Sequence, residues 1–278
     1  MEPDLSKVIA EDEQKVAEGE RITFAVPARR NPKLQALVDL INEDEELYQY
    51  WRCANVNAVD RNHMSDHGPV HIKIVANLAL KLLRLLIDAD IPMGIVRDHG
   101  MSVEDAEVVA VLAAAMHDIG MAIHRENHEE FSLILAHTKA RELLAPIYPV
   151  RERTIVMSEV LHAIIAHHWD VTCYTVEAGV VKVADALDMT HGRSRIAFES
   201  GGINIHSVSA QAIDSVHIHK GDGIPIEVEI TMANSAGIFQ VDNLLKRKLR
   251  NSSIADYVRV VAKVAHDTER KIVEVYEL

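Results

Sequence analysis

The sequence predicts a mainly α-helical protein, a multi-helix domain followed by a small α+β C-terminal domain, and three observations carry that expectation. Apolar residues make up 48% of the 278-residue chain but aromatics only 4%, so the core is built from Ala, Val, Ile and Leu, a mixture that suits packed helices. Apolar residues recur at three- and four-residue spacing from about residue 32 to 189, the period of one buried helical face. At Gly201-Gly202 the pattern changes to alternating, β-rich segments. The chain therefore divides into an N-terminal extension over 1–31, a helical domain over 32–199 and a small α+β domain over 200–278.

Residues 1–30 are acidic and mixed until Pro27, Arg29 and Arg30, which with Asn31-Pro32 form a loop before the first helix. From 32 to about 91 the pattern is helical, with one stripe of Leu34, Leu37, Val38 and Ile41 and another of Val75, Leu78, Leu82 and Leu86. Between them, residues 65–69 read as a helix start. Ser102 followed by Asp105 is a capping pair, and residues 108–116 are apolar on every face, which predicts a helix buried on all sides. Gly120 is expected to end it soon after His117-Asp118. Further helices are expected over 126–144, 153–168 and 177–189, divided by Pro146, Pro149 and a short loop over 170–175. In the last part, strands are expected over 203–208, 212–219 and 225–232, with Gly-Asp-Gly at 221–223 as a turn. Helices follow over 240–249 and, after a Ser253/Asp256 cap, over 254–267, and a strand over 271–276 closes the chain.

A formal charge of -13 at pH 7 repels polyanions, which argues against coating of nucleic acid or anionic membrane. Small anionic substrates remain compatible if a metal supplies local positive charge. The cationic run Lys246, Arg247, Lys248 and Arg250 lacks interleaved aromatics and reads as a helix-dipole partner or a solvated face. Cys53 and Cys173 form neither a disulfide framework nor a CxxC pair, which fits a reducing compartment. No basic-then-apolar leader opens the sequence, and the 108–116 run is too short to span a bilayer. The expectation is a cytoplasmic, unexported protein. The C-terminal domain has limited area of its own and is expected to pack on the helical domain or on another subunit, so a homo-oligomer is open.

Sixteen histidines exceed Phe and Tyr together, and most lie between His63 and His191. His71 shares a helical face with Val75, Leu78 and Leu82, and His67 lies one turn earlier. The His117-Asp118 pair closes the buried helix, where free carbonyls and the negative end of the helix dipole favour a cation. His167 follows Val160 and Ile164 at helical spacing, and Asp185 follows Val181 in an otherwise apolar helix. Any one inward histidine is more often a hydrogen-bonded core residue. Imidazole and carboxylate groups from four helices together point to a shared divalent transition metal, Fe, Mn, Zn or Ni. His128 is a further candidate ligand, and His124, His162 and His168 are weaker metal or substrate candidates, since a polar Arg-Glu-Asn segment around His124 and His128 is equally a solvated face.

These residues resemble the HD-domain superfamily of metal-dependent phosphohydrolases: His71 with Val75-Ala76, then His117-Asp118-Ile119-Gly120, then Val183-Ala184-Asp185, over about residues 60–195. His128 with Ser132, and Ala163-Ile164 before His167-His168, resemble the additional helices of members that hold two metals. The resemblance implies one or two metals per chain. Asp118 would ligate or bridge them, His71, His117 and Asp185 would complete the first site, and His128 and His167 would serve the second. It also implies hydrolysis of a small phosphorylated, nucleotide-like substrate by metal-activated water, with Asp118, Lys182 and Arg193 in catalysis and Arg195 and Arg125 as further candidate cations. The sequence departs from some members by carrying Met121 where they have lysine, and no Gly-Tyr-Pro follows His168, so the cyclic-dinucleotide branch is not supported. Two rival readings stay open, a di-iron oxygenase on a similar scaffold and a nucleotide-binding regulator without turnover.

Overall fold

A computed structural model of the chain describes residues 5–189, 209, 211–265 and 275–277. The helical part runs α1 (Leu5–Ala17), α2 (Pro32–Glu43), α3 (Glu45–Asn55), α4 (Pro69–Ile87), α5 (Gly94–His99), α6 (Val103–Met116), α7 (His128–Leu144), α8 (Val150–Ala166) and α9 (Val176–Leu187). Four strands follow, β1 (Ile213–His219), β2 (Ile226–Met232), β3 (Val258–Val264) and β4 (Val275–Glu277). A short helix, α10 (Lys246–Arg250), lies between β2 and β3. The observed fold is thus a helical domain followed by a small α+β part.

Local chemistry sets the helix ends. Asn31 caps α2, its Oδ1 accepting the Leu34 N–H at 3.1 Å, with Pro32 in the first turn where its missing donor costs nothing. Asp44 ends α2 and starts α3, its carboxylate accepting the Leu47 N–H at 2.8 Å. The helical pattern over 32–91 is thus broken at Asp44, while the helix start expected over 65–69 is met by α4 at Pro69, after a π-helical turn, Val56–Arg61. Asp105 accepts the Ser102 N–H at 3.0 Å at the start of α6, and Thr175 caps α9 through the Ala178 N–H at 3.3 Å.

Helix α6 is the axis of the bundle. Ala106 and every residue from Val108 to Met116 are fully buried, and α6 packs against α2, α4, α8 and α9. Each such Val or Leu contributes about 1.5–3 kcal/mol relative to exposure. Ala113, Ala114 and Ala115 let neighbouring helices come close, and Trp51 reaches across to donate its Nε1–H to the Ala115 carbonyl at 2.7 Å. The N-terminal segment joins this core through the buried Ile22, Phe24 and Ala28, while Asp12 pairs with Lys73 of α4 at 2.5 Å.

The sheet has the order β1-β2-β3-β4. β1 and β2 form an antiparallel hairpin with an irregularity between Ile213 and Ser215. β2 and β3 pair in parallel from Ile226↔Val258 to Met232↔Val264, and β4 returns antiparallel to β3. Alternate residues of β2, Ile226, Val228, Ile230 and Met232, are buried, and they share one hydrophobic cluster with the helices. One sequence expectation is corrected here: residues 258–264, read as part of a helix over 254–267, form β3. Parallel pairing to β2 and burial of Val258, Val260, Ala262 and Val264 override the local capping signal at Ser253 and Asp256. The strand expected over 203–208 lies outside the described residues. Of the strand expected over 271–276, only 275 and 276 lie among them, in β4. No helix among the described residues is long and apolar enough to cross a membrane.

Candidate metal centre

The backbone that carries His117 and Asp118 leaves α6 in a tight turn and continues as a 3-10 helix, Ile119–Ala122. Gly120 is needed here for close approach and not for a left-handed cap. A Cβ at this position would lie 2.0 Å from the His128 carbonyl oxygen and 2.3 Å from the Ser132 nitrogen, so the start of α7 lies directly on the turn. Ser132, fully buried, fastens it: its Oγ donates to the His117 carbonyl at 2.7 Å and accepts the Gly120 N–H at 2.8 Å.

Around Asp118 the structure gathers side chains from α4, the end of α6, the start of α7, the end of α8 and α9. Asp118 Oδ2 lies 3.3 Å from His117 Nε2 and 3.4 Å from His71 Nε2. Asp118 Oδ1 lies 3.2 Å from His128 Nε2 and 3.5 Å from His167 Nε2. Asp185 Oδ1 completes the first half, 3.5 Å from His71 Nε2 and 3.8 Å from His117 Nε2. His71, His117, Asp118, His128 and His167 are all buried. Three overlapping groups could hold a metal ion: His71, His117 and Asp118; His117, His167 and Asp185; and Asp118, His128 and His167.

The donor chemistry fits a cation. His117 Nδ1 lies 2.8 Å from the Ala114 carbonyl oxygen and His167 Nδ1 lies 2.6 Å from that of Ile164. A carbonyl only accepts, so both rings carry the proton on Nδ1 and, when neutral, turn a bare Nε2 inward. His71 is oriented the same way by Asp188, whose Oδ2 lies 2.5 Å from His71 Nδ1. The Nε2 atoms of His71 and His117 then face each other at 3.3 Å and face carboxylate oxygens at similar range. Lone pairs opposed in this way are held together by a shared positive charge. Bonds of roughly 2.1 Å to a transition metal place neighbouring donors about 3.0–3.4 Å apart, close to these spacings.

The electrostatics agree. Burial alone would depress the His117 imidazole, but Asp118 and Asp185 outweigh it and raise its pKa to about 10. Burial works to raise Asp118, yet His117, His128 and His167 hold it well below the ordinary carboxylate range. Asp185 is likewise pulled well down against its burial, first by Lys248 and then by His117. His167 is pushed below the usual histidine range by burial. The site thus favours positive charge at His117 and keeps Asp118 and Asp185 ionised.

Other residues singled out by the sequence fall elsewhere. His67 borders the cluster, with Nε2 4.0 Å from Asp118 Oδ2 and Nδ1 bonded to the Ser65 carbonyl at 2.7 Å. His124 is exposed and accepts the Glu126 N–H. His168 accepts the Asp170 N–H, and His162 accepts the Tyr174 N–H while stacking on that ring at 5.1 Å. His124 and His168 each hold a local turn, and His162 ties the loop before α9 to α8. Lys182, expected to meet substrate, is buried, and its ammonium donates to the carbonyls of Val171 and Asn251, tying the loop before α9 to the C-terminal part. Exposed Arg125 lies against His128, with Nη1 3.0 Å from Nδ1. Arg193 and Arg195 lie outside the described residues. A separate group of His219, Glu227 and Glu229 on the sheet is offset by Arg259 and Lys263.

Three residues of the centre were not anticipated. Asp66 accepts the His71 backbone N–H at 2.9 Å. Asp188 holds the His71 ring, and its place three residues after Asp185, at the end of the same helix, was a readable signal. Lys248, taken from sequence as a dipole partner or solvated charge, instead pairs with Asp185 Oδ2.

The class that this bundle and its donor groups define is a helical scaffold able to hold a metal, in which histidine, histidine-aspartate and aspartate come in that order. The HD domain family model matches residues 69–190, and the chain belongs to the HD-domain superfamily, most of whose members are metal-dependent phosphohydrolases. It is 40% identical over 233 residues to uncharacterized protein MJ1020 of Methanocaldococcus jannaschii, covering 84% of this chain and 89% of that protein. No solved structure matches the chain.

Proposed function

We propose that the chain is a phosphohydrolase of small phosphorylated, nucleotide-like substrates, working at a dinuclear site in the cytoplasm. The observation that carries this reading is the division of Asp118: one carboxylate oxygen faces His71 and His117, the other faces His128 and His167. Asp118 would serve both of two cations, one held with His71, His117 and Asp185 and the other with His128 and His167. Bound divalent metal would supply a Lewis acid for the phosphoryl oxygens and bring the pKa of a water toward neutrality.

The protein's own groups do the rest. His71, His117 and His167 are locked with Nε2 inward by Asp188 and by carbonyls of their own helices, so no reorientation is required on binding. Packing from α4, α6 and α9 excludes bulk water on the inner side. Free Cys53 and Cys173 suit the reducing compartment proposed.

The test is elemental analysis of tag-free protein beside the Asp118→Ala variant, followed by a phosphoester screen. The reading expects roughly two metals per chain in the wild type, near none in the variant with its helical circular dichroism kept, and hydrolysis lost with the metal. One metal per chain would remove the second-site role of His128 and His167. Oxygen uptake dependent on added iron would replace hydrolysis by the oxygenase reading, and tight nucleotide binding without turnover by the regulatory one.

A further inference from the structure

We propose that Lys248, delivered by the C-terminal part of the chain, is the cation that binds the substrate's phosphoryl group at this centre. The inference rests on the phosphohydrolase reading above and adds the residue that recognises the anion. The centre lies in a chain of charge -13 and gathers the carboxylates of Asp118, Asp185 and Asp188, so a phosphoester gains from a protein cation beside the metal. The arginines that follow α9 in sequence lie outside the described residues, and the ammonium of Lys182 is turned away into carbonyls. Arg125 meets His128 only at its outer nitrogen, Nδ1, whereas Lys248 reaches a carboxylate of the cluster. Its Nζ bonds Asp185 Oδ2, while Oδ1 is the oxygen near His71 and His117 Nε2, and its charge is felt both at Asp185 and at His167, on the two halves of the site.

An ammonium has three donors. Among the described residues its hydrogen bond is to Asp185, and the side chain keeps 19% exposure at the rim. The ammonium thus has donors beyond the one that Asp185 takes, and these would go to the incoming oxyanion. The segment around it is fixed to the helical domain on both sides of the lysine. The Arg247 guanidinium lies over the Trp169 ring at 4.1 Å, the Asn251 side chain donates to the Trp169 carbonyl at 2.8 Å, and Ser253 Oγ donates to the Thr175 carbonyl at 2.5 Å. Gly179 of α9 permits this seat, because a Cβ there would lie 2.4 Å from Ser253 Oγ.

The experiment compares wild type, Lys248→Met and Lys248→Arg as full-length, metal-loaded proteins, measuring metal content and the binding of inorganic phosphate by calorimetry. The expected result is metal content unchanged in all three, phosphate affinity about ten- to hundredfold weaker in Lys248→Met, the loss of one charge-assisted hydrogen bond, and recovery in Lys248→Arg. With a phosphoester, the same variant raises KM more than it lowers kcat. Unchanged phosphate affinity in Lys248→Met overturns the proposal while leaving the hydrolase reading intact. Loss of metal in that variant also overturns it, since Lys248 would then act only by positioning Asp185. A wild type that binds neither metal nor phosphate overturns both.

Discussion

Replacing Ser132 by alanine removes one oxygen and no other packing, yet it undoes the fastening of the metal turn. Ser132 Oγ serves two backbone groups at once, accepting the Gly120 N–H at 2.8 Å and donating to the His117 carbonyl at 2.7 Å. The side chain is fully buried, and a Cβ on Gly120 would already touch the α7 backbone, so space for a replacement water is lacking. Each orphaned buried group costs about 1–3 kcal/mol, which gives roughly 2–4 kcal/mol for the pair after partial relaxation. Because His117 and Asp118 sit on this turn, metal affinity should fall about ten- to hundredfold as well, the usual scale for groups that orient ligands. Denaturant titration of the metal-free protein reads the first quantity and calorimetric metal titration the second. A stability change below about 0.5 kcal/mol, the range of ordinary surface substitutions, with unchanged metal affinity would refute the reasoning.

Two further outcomes follow from the same geometry. Asp188→Asn keeps the shape beside His71 but weakens the grip on its Nδ1–H, and metal affinity should drop about tenfold or more with little change in helical content; equal affinity would show that the ring is held by packing alone. Asp105 is buried, which works to raise its pKa, but Lys33, Tyr148 and Ser102 outweigh that and lower it. A depressed folded pKa gives stability that is present above the unfolded value of about 3.9 and is lost as pH falls through the folded value. Asp105→Asn should therefore be less stable than wild type near pH 7, and the gap should close below about pH 4; a gap constant down to acid pH would mean that charge is not the cause.

Much of the helical domain was legible because its signals are local. Period and capping place α2, α6 and α9, and the inward spacing of His71, His117, His167 and Asp185 follows from the same period. The sheet was legible where strands alternate, as in Ile226 to Met232, and illegible in β3, whose strand state depends on a parallel partner more than twenty residues earlier in the sequence. Lys182 illustrates the limit for single residues: helical spacing says that it points inward, but not that two carbonyls wait for its ammonium. Lys248 lies 63 residues from its partner Asp185, and nothing in a local window connects them.

The parallel pairing of β2 with β3 has a consequence for how this protein comes together. Parallel neighbours require a crossover, and here the crossover is the stretch that carries Lys248. Contacts of helices with their chain neighbours form early, whereas a parallel ladder closes a long loop before it is rewarded and forms late. The histidine and aspartate side chains are thus placed on the bundle, and the lysine arrives with the crossover between β2 and β3. In a chain made from its N-terminus, the histidine and aspartate donors of α4 to α9 precede the crossover that carries Lys248, so the pocket can form before that segment covers its rim.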